Sequence, residues 1–80
     1  MKINVKVFAL SYASVSDGNL YVDTIGVYDS FESAKKALND CVAEDIECGD
    51  SKKNWKVLDR KAEYENVFAN ERKEYLIKEL

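Results

Sequence analysis

The chain has 80 residues and a formal net charge of −3, a size that gives one domain, residues 1–80, with a single small core. A hydrophobic fraction of 46% against 34% charged residues describes a folded unit, while the acidic balance argues against direct nucleic-acid binding, which draws its affinity from clustered Lys and Arg. The lack of histidine removes the commonest general base and metal ligand together, and no apolar run approaches the roughly eighteen residues that a membrane span needs.

Ile3, Val5 and Val7 alternate with Asn4 and Lys6, and the apolar set then shifts phase to Phe8, Leu10 and Tyr12. This predicts a first strand that carries a bulge or is buried on both faces. The strand-like start, in place of an apolar leader, makes the expected location cytoplasmic. The segment SVSDGN, Ser14 to Asn19, holds an Asp-Gly pair and predicts a tight turn into a second strand from Leu20 to Tyr28. Asp29 or Ser30 can then cap a helix, with Glu32 three residues after Asp29 as in a capping box and Tyr28 placed as a hydrophobic staple. Phe31, Ala34, Leu38, Cys41, Val42 and Ile46 recur at helical spacing, while Glu32, Lys35, Lys36, Asn39 and Asp40 cover the other face. Gly49 is a plausible stop, and CGDSKKN is the one long loop.

From Trp55 to Leu80 the pattern is ambiguous. Glu, Lys and Ala would accept one or two helices, whereas the block from Glu74 to Lys78 is β-prone, and Asn70-Glu71 can turn a strand containing Val67 and Phe68 back into it. The favoured fold class is α+β, a small antiparallel sheet in the order β-β-α-β-β with one main amphipathic helix packed on one face; the alternative is β-β-α-α.

The block IGVYDSFESAKKAL, after a short hairpin and before the terminal EYLIKEL, resembles small uncharacterised proteins common in bacteriophages and mobile elements of bacteria. The resemblance covers about half of the chain and is structural. It implies an accessory protein that binds and modulates a host or phage component, and anti-CRISPR proteins are similar in size and charge. It carries over no catalytic or binding residue.

The side chains offer little chemistry. Cys41 and Cys48, seven apart, would stand about 10 Å apart on a helix, too far for a disulfide, and they have no imidazole to activate them; Cys41 lies on the apolar stripe. Gly18, Gly26 and Gly49 are isolated and form no phosphate loop. No catalytic residue, metal site or cofactor is expected, and the protein is expected not to be an enzyme. Two features stand out as partner-binding candidates. The first is the acidic cluster Asp40, Glu44, Asp45, Glu47 and Asp50, in a stretch from Ala37 to Ser51 that holds no Lys or Arg; it opposes the helix macrodipole and is either a solvated face or a docking patch for a basic surface of a host or phage protein. The second is an aromatic set, Tyr12, Tyr21, Tyr64 and Tyr75, expected in part on a sheet face that one helix cannot cover. The expected function is masking or inhibition of a host protein, such as a nucleic-acid-binding defence complex; the alternative is a structural or regulatory homodimer using the open sheet face.

Overall fold

A computed structural model describes residues 6–80. Among them, β1 (Phe8–Ser16) and β2 (Asn19–Tyr28) lead into one helix, α1 (Phe31–Glu47). A single 3-10 turn (Lys52–Asn54) and three strands follow: β3 (Trp55–Val57), β4 (Lys61–Asn66) and β5 (Glu71–Glu79). The strands pair antiparallel in the order β2-β1-β5-β4-β3. The domain is α+β with a small antiparallel sheet and one helix. The helical alternative after Trp55 is not realised, and the expected order gains a strand at Trp55–Val57. The expected alternation at Ile3 and Val5 falls outside the described residues.

Local chemistry explains most of these boundaries. Asp17 and Gly18 both have positive φ, 50° and 80°, which is the two-residue turn whose twist matches a hairpin and which Asp-Gly favours. The β1–β2 register slips between Leu10 and Ser11, leaving Ile25 as the extra residue of β2; such a bulge bends an edge strand. Next to it, a Cβ on Gly26 would come within 2.8 Å of the Tyr28 hydroxyl, so the tyrosine lies across bare backbone. The helix is capped by Ser30, whose Oγ accepts the N–H of Ser33 at 3.1 Å. Asp29 and Glu32 do not form the expected capping box, because it is Ser30 that takes the extended conformation (φ −145°, ψ 155°) a cap residue needs. At the other end Gly49, at φ 129°, lets the chain reverse. The Gly49 N–H donates to the Ile46 carbonyl at 3.1 Å and the Asp50 N–H to that of Asp45 at 3.0 Å, the Schellman pattern that satisfies terminal carbonyls.

In the second half, burial overrides helix propensity. Ala62 and Tyr64 in β4, and Tyr75 and Ile77 in β5, are buried at every second position, so a period of two puts them all on one face. The strand expected to hold Val67 and Phe68 stops at Asn66 instead. Asn66 Oδ1 accepts the Ala69 N–H at 3.1 Å and Asn70 takes φ 51°, so residues 67–70 become the turn between β4 and β5.

The helix packs on the face carrying Phe8, Leu10, Trp55, Ala62, Tyr64, Tyr75 and Ile77, against Ala34, Leu38 and Val42. Leu10, Leu38 and Ile77 are the largest fully enclosed side chains, and Leu10 is directly opposite Ile77 across the β1–β5 pair. Lys35, expected on the solvent face, instead donates from Nζ to the carbonyls of Leu58 and, at 2.8 Å, Asp59, tying the β3–β4 turn to the helix.

Candidate protein-binding surfaces

The acidic cluster divides into two groups. Asp45 and Asp50 are committed to the fold. Asp45 accepts a hydrogen bond from the Tyr75 hydroxyl at 2.6 Å, and Asp50, delivered by the turn at Gly49, pairs with Lys73 at 2.8 Å with both side chains largely buried. Burial alone would lower the Lys73 pKa, but its hydrogen bond to Asp50, the charge of Asp50, and Glu71 and Asp45 beyond it leave it above the ordinary lysine value. Asp40, Glu44 and Glu47 are exposed, and helical spacing puts them together on the outer side of α1. They line a shallow hollow with Ala43 and Cys48, and Lys36 reaches Asp40 at 3.7 Å.

The tyrosines divide as well. Tyr64 and Tyr75 are only 4% and 6% exposed, which removes both from any contact surface. Odd-numbered positions of β5 and even-numbered positions of β1 and β4 face the helix, so these rings fall inside. Tyr75 lies 4.9 Å from Tyr12 and 5.8 Å from Trp55 between ring centroids, and Trp55 lies 5.2 Å from Tyr64. The Trp55 Nε1–H is buried there without a hydrogen-bond partner among the described residues. Tyr12 is half-buried, and Tyr21, whose ring touches it at 6.1 Å, is exposed. Both face the helix side near the end of the sheet that projects past α1: Tyr21 pairs with Ser14, Ser14 with Lys73, and Lys73 meets the chain just after the helix.

Among the described residues nothing covers the face of the sheet away from α1, and that face is aliphatic rather than aromatic. Leu20, Val22 and Val27 of β2 are 70%, 64% and 58% exposed. The register puts them beside Val15, Ala13 and Ala9 of β1, with Leu76 of β5 opposite Ser11. The other half of this face is ionic, with Lys61 to Glu63 at 2.9 Å and Arg72 to Glu65 at 2.8 Å. An open hollow of about 580 Å³ is lined in part by Lys56, Glu63, Glu65, Arg72 and Glu74, charges of both signs.

Phe68 was not recognised from sequence as a surface residue. Standing in the β4–β5 turn beside exposed Val67, it is as accessible as a free phenylalanine, at 104%. The turn is fixed internally, since the Asn70 N–H donates to the Val67 carbonyl at 3.2 Å in addition to the Asn66 bond. It is tied to the other hairpin by the Asp17 N–H, which donates to the Asn70 carbonyl at 3.4 Å. The available signal was Asn66 and Asn70 bracketing three residues, since asparagine favours turns and left-handed backbone.

The perturbed titratable groups are pushed toward inert forms. Burial, then the neighbouring Asp45, Glu44 and Asp40, raise the Cys41 thiol above its ordinary value, away from the nucleophilic thiolate. Burial and the Asp45 hydrogen bond raise the Tyr75 phenol far above its ordinary value, and Lys73 is held as an ammonium ion. Catalytic groups are tuned in the opposite sense. Among the described residues, no group of three or more Cys, Asp or Glu side chains comes together to hold a metal ion, and no helix is long and apolar enough to cross a membrane. No protein-family model matches the chain, and no similar curated protein or solved structure was found.

Proposed function

We propose that this chain is a non-enzymatic protein-binding module that docks with the end of the domain where the two hairpin tips meet, and that it masks a basic surface of a host or phage protein. The observation that carries this reading is Phe68, a fully exposed aromatic side chain on an internally braced turn. A phenylalanine in water gains nothing for the fold, and a rigid aromatic ring loses little entropy when it enters a partner's pocket, which is why such rings act as anchors. At this end Glu65 is paired with Arg72 and Glu71 lies near Lys73, while Asp17 across the hairpin contact and Glu44 and Glu47 on the helix end that points the same way are exposed and have no ion pair among the described residues. Tyr21, on the helix side of β2, is exposed as well. An apolar plug ringed by carboxylates is complementary to an apolar pocket with a Lys- and Arg-rich border, the kind of surface that holds nucleic acid in a defence complex. The phage and mobile-element setting of this reading rests on the resemblance of the helix block.

The experiment is an affinity pull-down from bacterial and phage-infected lysates, read by mass spectrometry, with three baits: the native chain, Phe68→Ser, and Glu44→Lys/Glu47→Lys. One stoichiometric protein is expected with the native bait. It should be lost with Phe68→Ser and held less tightly by the charge-reversed bait as salt rises. Equal capture by all three baits would refute the assignment of this surface. Capture by none, from lysates that include the natural host, would refute the masking function.

A further inference from the structure

We infer that the aliphatic half of the open sheet face is the interface of a two-fold homodimer, in which two copies pack face to face as a β-sandwich. Leu20, Val22 and Val27, with the less exposed Val15 and Leu76, form one contiguous apolar band over β2, β1 and the neighbouring part of β5. That band offers on the order of 400 Å² of apolar surface per copy, a size at which patches on monomers mark interaction sites. With the small residues Ala9, Ser11, Ala13 and Thr24 between the larger ones, two copies would bury on the order of 1,000 Å², where specific interfaces begin.

Charge distribution selects a second copy as the occupant. The chain as a whole is acidic, with a net charge of −3, so two copies repel each other over most of their surface. The open face is the exception. Its β2 and β1 positions carry no charge, and alternation puts four basic residues (Lys56, Lys61, Arg72, Lys78) and three acidic ones (Glu63, Glu65, Glu74) on the rest of it. These partly pair with one another, Lys61 with Glu63 and Arg72 with Glu65. A basic partner is attracted to the helix side and gains nothing from this face, whereas a second copy meets it without a charge penalty. A two-fold contact must also be self-complementary. An aliphatic centre rimmed by charges of both signs meets that condition, since rotation brings apolar band onto apolar band and leaves the ionic halves at the rim, the usual anatomy of an interface. Packing of two such sheets at about 30° is the ordinary sandwich arrangement.

The test is sedimentation equilibrium and light scattering of the purified native chain from 1 to 200 µM, beside Val22→Asp, Leu76→Lys and Phe68→Ser, with circular dichroism melts to establish that each variant is folded. A native dimer is expected, with association at least tenfold weaker in Val22→Asp and in Leu76→Lys and unchanged in Phe68→Ser. A mixture of Val22→Asp and Val22→Lys should dimerise better than either alone. A native chain that stays monomeric to 200 µM would overturn the proposal. So would a dimer lost in Val22→Asp but kept in Leu76→Lys, which would assign pairing through the β2 edge, and a monomer destabilised by Val22→Asp in the melts, which would assign the band to a segment of the same chain. A monomer that still captures a lysate protein through Phe68 would refute the dimer and leave the binding module standing.

Discussion

Replacing Tyr75 by phenylalanine tests whether the acidic helix end is part of the fold. The substitution keeps the ring and its contacts with Tyr12 and Trp55 and removes one atom, the hydroxyl that donates to Asp45 at 2.6 Å. A hydrogen bond to a charged acceptor contributes about 1.5–3 kcal/mol. Asp45 is only half-buried and regains water when the hydroxyl goes, so the low end applies, about 1.5 kcal/mol. In a domain of this size that lowers Tm by about 6–12 °C. The pH dependence is more diagnostic. Burial first, then the hydrogen bond and charge of Asp45, keep the folded phenol protonated far above its ordinary range. The folded chain therefore holds this proton more tightly than the unfolded chain. The stabilisation is complete below about pH 10, the unfolded tyrosine value, and is lost as the pH rises beyond it. Melts from pH 7 to 11 should show a steeper alkaline loss in the native chain than in Tyr75→Phe. Some slope persists in both, because the raised pKa of Lys73 contributes in the same window. A double-mutant cycle with Asp45→Ala, which leaves the hydroxyl no acceptor at that position, should give a coupling of at least about 1 kcal/mol at pH 7. Coupling below about 0.3 kcal/mol, or identical alkaline slopes, would refute the structural role of Asp45 and return it to the docking patch.

Three further substitutions probe the frame that holds these surfaces. Lys73→Met leaves Asp50 largely buried without its cation and should cost about 2–3 kcal/mol in urea unfolding, with part of the loss recovered in Lys73→Met/Asp50→Leu, where no charge is stranded. Leu38→Ala empties a fully enclosed site between helix and sheet and should cost about 3 kcal/mol, enough to leave a visible unfolded fraction at 37 °C by near-UV circular dichroism. Ser30→Ala removes the bond to the Ser33 N–H and should lower stability by about 1 kcal/mol, whereas Asp29→Ala should change it by less than about 0.5 kcal/mol, since the cap does not use Asp29.

The sequence is most legible where structure is local. The Asp17-Gly18 turn, the stripe of Ala34, Leu38 and Val42, and the stop at Gly49 each follow from residues within a turn or two of one another. The tail is less legible because its strands are decided by partners far away in sequence. Tyr75 faces the core only because β5 lies between β1 and β4, where Ile77 meets Leu10; nothing within residues 71–79 sets which face is covered. The same long-range pairing decides which acids are spent. Asp45 and Asp50 look no different in sequence from Glu44 and Glu47, yet the first two find Tyr75 and Lys73 and the others find solvent. The number of rings in the sequence predicts an exposed tyrosine set but carries no information on which face each ring takes, and the sheet instead exposes valines and leucines that read as ordinary strand formers.

The two apolar surfaces left in water lie on different parts of the domain, and that separation constrains how they can work together. Leu20, Val22 and Val27 face away from the helix, while Phe68 stands at the tip of the β4–β5 turn, with Tyr21 and the outer carboxylates of α1 on the helix side. Covering the open face with a second copy therefore leaves each tip and each acidic helix end accessible. A dimer then offers two equivalent docking ends, and against an oligomeric or repetitive target the second contact becomes intramolecular, raising avidity without any new residue. Light scattering of the chain mixed with its captured partner should give two partners per dimer. Monomeric Val22→Asp should bind one partner with the same single-site affinity and lose only the gain seen on a multivalent target. A complex of one partner per dimer would mean that the two surfaces compete, and would refute their independence.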